Sequence, residues 1–210
     1  MKKSCPGFSL LISALVLITV AVRAEEWIHY KAQPNGSKVR IDGTSTIHDW
    51  TVESTIIGGE LTVDASFDAD LKTVKTGPRV TVNIPVRSLT SNKPTMDNVM
   101  RDAMKQKEFP RIEYKLIELI PKPAAAGAAQ FEAKGALTIS GVTKTNTMPV
   151  TFERFQKNKL KITGTANLKM TDFGIKPPAP QLALGLIKTG DDVKITFEWL
   201  TAQQKDAAAQ

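Results

Sequence analysis

The feature that most constrains the fold is an alternation of apolar and polar residues on both sides of one turn, in the segment LTISGVTKTNTMPVTF at 137–152. The apolar residues recur at every second position of each arm: Leu137 and Ile139 on the first, and Met148, Val150 and Phe152 on the second. A period of two predicts half-buried strands. Ser140–Gly141 and the polar run at 143–147 predict the reversal between them. The segment therefore predicts an antiparallel hairpin.

The same alternation recurs along most of the chain, with Gly, Asn, Pro or Asp between most of the segments. The other alternating segments lie at 27–32, 39–41, 50–56, 80–86, 112–116, 160–170 and 193–199. Eight or nine short strands in one chain predict an all-β domain, either a sandwich or a barrel. We see no internal repeat and no second domain.

One segment has a different period. Between 95 and 106, apolar residues follow the spacing of an amphipathic helix: Met96, Val99, Met100, Ala103 and Met104. Phe109–Pro110 predicts where this helix stops. A lone helix in a β protein must pack its apolar face against other residues, and we expect it to do so at the mouth of a barrel. The three methionines are read either as ordinary core packing or as a deformable wall against a flexible lipid chain.

The first 24 residues have the pattern of a secretory signal peptide. Lys2 and Lys3 precede an apolar run at 8–22, and small residues flank Arg23 before the predicted cut after Ala24. A membrane anchor is the alternative, but the apolar run is shorter than the roughly 20 residues of a spanning helix. We therefore predict a periplasmic or secreted protein with a domain at 25–200 and a disordered tail at 201–210.

Composition excludes several classes of function. The formal net charge is +7, but few aromatic residues and an exported address argue against a nucleic-acid partner. The only two histidines, His29 and His48, are far apart in sequence, and Cys5 leaves with the signal peptide, which argues against a metal site. No nucleophile elbow, phosphate-binding loop or dinucleotide motif is present. Gly58–Gly59 predicts a bulge in a strand.

Two polar positions remain as candidates for binding. His48 is read as a structural residue at a strand start, as a contact to a ligand headgroup, or as a base. Asp49 is a poor partner for a base, since neighbours on a strand point to opposite faces. Arg101 lies on the polar side of the helix, either in a solvated ion pair or as a charge at the rim that meets a polar or anionic head.

The chain resembles the YceI-like family of exported, lipocalin-like proteins. The resemblance rests on four segments in order, followed by the closing strand at 190–199: STIHDW at 45–50, SLTSNKPTMDNVMRDAMKQKEFPRIEY at 88–114, GALTISGVTKTNTMPV at 135–150, and MTDFGI at 170–175. It implies one eight-stranded antiparallel barrel with an elongated apolar lumen, partly closed by a helix. It also implies a polyisoprenoid ligand, such as a prenyl phosphate or an isoprenoid quinone, and no cofactor.

With the resemblance, we expect an exported carrier or store for an isoprenoid lipid rather than an enzyme. His48 and Arg101 are expected at the headgroup. The tail is expected along inward-facing residues: Trp50, Val82, Met100, Met104, Leu137, Ile139, Phe152, Ile162 and Ile195.

Two alternatives stay open. A ligand-free barrel that binds another protein would have a lumen filled by large side chains. A lipid-modifying enzyme would use His48 or Asp172 as its base. The positive charge is compatible with transient contact with a membrane surface, and the formation of a homodimer is left open.

Overall fold

The computed structural model describes residues 26–123, 129–179 and 187–204. The predicted signal peptide and residues 205–210 of the predicted tail lie outside these ranges, so both stay predictions. The described chain forms ten strands, two short α-helices and two single turns of 3-10 helix at Val86–Ser88 and Met170–Phe173. The strands and α-helices are β1 Trp27–Ala32, β2 Lys38–Ser45, β3 Trp50–Ser54, β4 Gly58–Asp64, α1 Ala65–Ala69, β5 Arg79–Pro85, α2 Pro94–Ala103, β6 Arg111–Lys122, β7 Ala129–Ile139, β8 Val142–Gln156, β9 Lys159–Lys169 and β10 Thr189–Gln203. None of these helices has the length and apolar character needed to cross a membrane.

The ten strands form an antiparallel barrel of eight staves, where a stave is one strand or two strands lying end to end. β1 and β2 lie end to end along β10, and β4 and β3 lie end to end along β1 and β2. Pairing between β1 and β10 closes the sheet. At the break between β1 and β2, Leu200 keeps its backbone bonds: its carbonyl accepts from the Gln33 amide at 2.8 Å, and its amide donates to Ser37 Oγ at 3.0 Å. The expected eight-stranded barrel is confirmed.

The hairpin of β7 and β8 turns within two residues. Ser140 and Gly141 have φ values of 51° and 79°, and Ile139 pairs with Val142 directly across the turn. Two successive residues with positive φ are the signature of a turn whose twist matches that of the flanking strands. The hairpin prediction is therefore confirmed, but the reversal predicted at 143–147 is wrong, since these residues belong to β8.

One end of the barrel is closed by α1. Phe67 is fully buried, with its ring centroid 6.0 Å from that of Phe131 and 5.6 Å from that of Phe152. Outside this cluster, Arg154 donates to the Tyr30 hydroxyl at 2.9 Å and forms an ion pair with Asp68 at 3.0 Å. The sequence pattern does not predict α1, because five residues are too few to show a helical period.

The opposite end is covered in part by α2, close to the predicted range of 95–106. The buried carboxylate of Asp97 accepts from the Thr90 hydroxyl at 2.6 Å and from the Ser91 amide at 2.7 Å, which holds the start of the helix. At its other end, the Ser140 hydroxyl donates to the Met104 carbonyl at 3.1 Å. The helix is therefore tied to the barrel on both sides.

The last strand extends further than the sequence predicted. β10 runs to Gln203, and Thr201 is fully buried and pairs with Leu160 and Ala32. Residues 201–203 thus belong to the barrel and not to the predicted tail.

Candidate ligand-binding cavity

The barrel encloses a cavity of about 610 Å³, lined almost entirely by apolar side chains. This volume lies within the range of ordinary small-molecule sites, roughly 300–1,000 Å³. The alternation of the strands points one set of side chains inward, and the apolar face of α2 covers them. The lumen filled by large side chains, which was expected for a ligand-free barrel, is therefore wrong.

The cavity opens at the α2 end, which we call the mouth. The solvent-exposed lining side chains among the described residues lie there: Ile47, His48, Lys93, Thr95 and Lys169. At the other end, Phe152, Ile162 and Trp199 are buried and form a floor above α1. Among the described residues, the lumen is thus closed at the floor and open at the mouth.

Ten of the eleven residues predicted for the site line this cavity. They come from six strands, from α2 and the residue that follows it, and from the turn between β2 and β3: His48, Trp50, Val82, Met100, Met104, Leu137, Ile139, Phe152, Ile162 and Ile195. Their contact with a ligand stays a prediction.

Arg101 is the exception, since it does not line the cavity. Its guanidinium donates from Nη2 to the carbonyls of Arg87 and Leu89, both at 3.3 Å, and lies 3.9 Å from Asp97. It therefore fastens α2 to the segment that follows β5. The periodicity of a helix identifies its polar face, but it does not show that backbone carbonyls lie against that face.

His48 reaches the mouth on a tightly bonded turn between β2 and β3. Ser45 Oγ donates to the His48 carbonyl at 2.7 Å and accepts from the His48 amide at 3.2 Å. The imidazole Nδ1 lies 2.8 Å from the Asp49 carbonyl oxygen, so Nδ1 carries the proton and Nε2 is left for another partner. The Asp49 carboxylate does not serve as an acid–base partner, and Asp172 is exposed and does not line the cavity.

Two basic residues at the mouth were missed by the sequence analysis. Lys93 and Lys169 join His48 in the cavity lining, and no carboxylate lines it within the described ranges. Lys169 pairs with Asp192 at 3.1 Å, and this bond raises the pKa of its ammonium group. Lys93 therefore brings to the mouth a positive charge with no ion-pair partner among the described residues, whereas the charge of Lys169 is matched by Asp192. No sequence motif marks these lysines, because strand and helix ends bring them together only in the fold.

Aromatic rings lie close against glycines along the inner wall. A Cβ on Gly43 would lie 2.2 Å from the ring of Trp50, which faces it across β2 and β3. A Cβ on Gly164 would lie 2.6 Å from the ring of Phe197. Each glycine lets a ring lie against the wall, so the centre of the lumen stays open.

The wall also holds three buried polar atoms that have no hydrogen-bond partner among the described residues: Tyr114 Oη, Asn146 Oδ1 and Trp199 Nε1. Burial raises the pKa of Tyr114 to about 12, so its hydroxyl stays protonated at neutral pH. The alternation of Ile112, Tyr114 and Leu116 was the available signal for the position of the tyrosine. For Asn146, the polar run around it concealed an inward-facing position.

The fold has solved counterparts. It is similar to the crystal structure of Burkholderia cenocepacia BcnA, with a TM-score of 0.61 at 18% identity over 78% of this chain and 95% of that one. A polyisoprenoid binding domain from Saccharophagus degradans, implicated in plant cell wall breakdown, gives a TM-score of 0.61 at 10% identity over 83% and 98%. The Campylobacter jejuni YCEI protein gives 0.55 at 18% identity over 74% and 85%. These likenesses concern the fold.

At the level of sequence, no curated protein matches this chain significantly. The family model of the YceI-like domain, however, matches residues 30–200, which is most of the chain and includes every stave of the barrel. The resemblance seen in the sequence is thereby confirmed, and the chain belongs to the YceI-like family.

Proposed function

We propose that this protein binds one polyisoprenoid lipid, a prenyl phosphate or an isoprenoid quinone, with its chain in the lumen and its head at the mouth. The observation that carries the proposal is the apolar cavity of about 610 Å³, closed at the floor and open at one end. A slender lipid chain with one polar end fits a cavity of this shape. The likeness to a domain whose own name is polyisoprenoid binding adds support.

The energetics favour the chain over the head as the source of affinity. Each buried methylene contributes about 0.8 kcal/mol, so a chain of a few prenyl units gains more than about 10 kcal/mol before the costs of association and ordering. Met96 and Met100 of α2 and Met104 directly after it all line the cavity. Their unbranched side chains adapt to the irregular shape of a branched chain.

The head is placed at the mouth, where the lining changes from apolar to basic. His48 has Nε2 free to accept or donate a hydrogen bond, and the ammonium group of Lys93 lies at the same rim. Such groups orient a polar head without supplying chemistry. We propose a binding protein and not an enzyme, since no carboxylate among the described residues is hydrogen-bonded to the His48 imidazole, which bonds to the Asp49 carbonyl instead.

Transport or storage outside the cytoplasm is part of the same proposal, based on the leader pattern at 1–24. In an aqueous compartment, the apolar chain of such a lipid must be shielded from water. The lumen of the barrel supplies this shielding.

The test is extraction of the purified protein with organic solvent, followed by mass spectrometry for prenyl lipids, and titration of the emptied protein with a prenyl phosphate and a quinone in detergent. We expect uptake of at least one of these lipids. Absence of both a co-purified prenyl lipid and any uptake would refute the proposal.

A matched pair of variants locates the site. Met100→Lys places a charge in the lumen, whereas Asn98→Lys places the same charge on the exposed face of the same helix. We expect the first to abolish uptake and the second to leave it unchanged. Equal uptake by the two folded variants would remove α2 from the site. Turnover of the lipid that disappears in His48→Ala would instead favour an enzyme.

A further inference from the structure

The turn between β2 and β3 holds a large apolar side chain in the open, beside the entrance of the cavity. Ile47 is 61% exposed and lines the cavity as well. A single exposed apolar side chain is ordinary in a folded protein. This one, however, continues the apolar wall of the lumen over the rim to the outside.

The turn that carries Ile47 is held firmly. Ser45 Oγ accepts from the Ile47 amide at 3.4 Å and donates to the His48 carbonyl at 2.7 Å. The Thr46 amide donates to the Lys188 carbonyl at 3.0 Å, and the Lys188 amide donates to Thr46 Oγ1 at 3.2 Å. Because the turn is already ordered, Ile47 can be buried in a partner with little further cost in entropy.

The charge around this turn favours an anionic partner. Lys93 lies at the rim, and the backbone of Lys188 is hydrogen-bonded to the turn. Neither lysine forms an ion pair within the described residues. Asp49, in the turn itself, opposes them. The other carboxylates at this end act on Lys169: Asp192 pairs with it at 3.1 Å, and Asp172 and Asp191 lie close enough to raise the pKa of its ammonium group. Two ammonium groups without an ion pair, beside an exposed apolar side chain, are the pattern of a surface that meets anionic lipids.

We propose that the mouth docks on an anionic lipid bilayer, with Ile47 in the interface and Lys93 and Lys188 over the headgroups. A prenyl chain would then pass between the bilayer and the lumen without crossing water. The inference rests on the proposed function, because a lipid ligand is what requires the entrance to meet a bilayer.

The experiment compares Ile47→Ser with Ile117→Ser. Ile117 is also 61% exposed but lies on the outer wall of β6, away from the mouth. Co-sedimentation is measured with vesicles free of prenyl lipid, either of phosphatidylcholine alone or of an equimolar mixture of phosphatidylcholine and phosphatidylglycerol. We expect the unaltered protein to bind the mixed vesicles, Ile47→Ser to bind about tenfold more weakly, and Ile117→Ser to bind as before. Lys93→Gln is expected to weaken binding to the mixed vesicles about fivefold at low salt.

Docking is overturned if the unaltered protein binds neither vesicle, if it binds both equally, or if the two serine variants lose the same amount. A second arm measures uptake of a prenyl phosphate from detergent, which needs no bilayer and should be equal in the unaltered protein and Ile117→Ser, whose altered side chain lies outside the cavity. Absence of this uptake in the unaltered protein would overturn the proposed function, and the sedimentation result would still decide docking.

Discussion

Replacement of Phe67 by alanine tests how the barrel is closed below the lumen. The ring is fully buried and packs against two other aromatic rings, with centroids 6.0 and 5.6 Å away. Removal of such a ring costs about 3–5 kcal/mol, a large share of the roughly 5–15 kcal/mol that stabilises a domain. We therefore expect Phe67→Ala to fold but to lose about 4 kcal/mol. With a slope near 2 kcal/mol per molar urea, the midpoint falls by about 2 M.

The assay is urea unfolding followed by tryptophan fluorescence, with Phe155→Ala as the control. Phe155 lies at the same end of the barrel but is 52% exposed, so its removal should change stability by no more than about 0.5 kcal/mol. Because Phe152 both touches Phe67 and lines the cavity, the vacated space adjoins the lumen. A longer prenyl chain should then restore more stability to Phe67→Ala than to the unaltered protein. Equal midpoints for the two alanine variants would refute the closure of the barrel by α1.

Three further predictions follow from single contacts. Gly43→Ala should push the Trp50 ring into the lumen, since the new Cβ would lie 2.2 Å from it. We expect titration to show that this variant binds a prenyl lipid at least tenfold more weakly. Unchanged affinity would contradict the packing of Trp50 on Gly43. Arg101→Ala should lower stability by about 1–3 kcal/mol without weakening uptake by the folded fraction, and a loss of uptake would return Arg101 to the site. Burial, the larger cause, raises the pKa of Tyr30 and of Tyr114 to about 12. These are the only two tyrosines, and unfolded tyrosines ionise near pH 10. The folded state should therefore lose stability relative to the unfolded state as the pH rises from about 10 toward 12. Phenolate absorbance of the folded protein near pH 10 would contradict this expectation.

The alternation of residues was sufficient to predict the apolar part of the inner wall, but not the inward-facing Asn146. Trp50, Val82, Ile162 and Ile195 face the lumen as expected, because a strand with one apolar face can bury only that face. Alternation does not reveal that two strands share one stave. The break at 33–37 is bridged through the backbone of Leu200 and Ser37 Oγ, and backbone bonds leave no mark on side-chain pattern.

The mouth was harder to predict than the wall. His48 was identified from its position at a strand start, but Lys93, Lys169 and Ile47 come from a helix start, a strand end and a turn that meet only in three dimensions. Arg101, the charged residue that was predicted at the headgroup, instead attaches α2 to the segment that follows β5. Residues at element ends carry no periodic signal, and an open end of a barrel is built from such residues.

The pairing that closes the barrel also brings the two ends of the described chain together. Tyr30 pairs with Gln203, and the Gln204 amide donates to the His29 carbonyl at 2.8 Å. Both ends therefore emerge beside α1, at the far side from the mouth. A tag, a surface tether or a fused domain at either end would leave the entrance clear. A short linker could also join the ends into a circular permutant, with new ends at the exposed turn of Lys157 and Asn158.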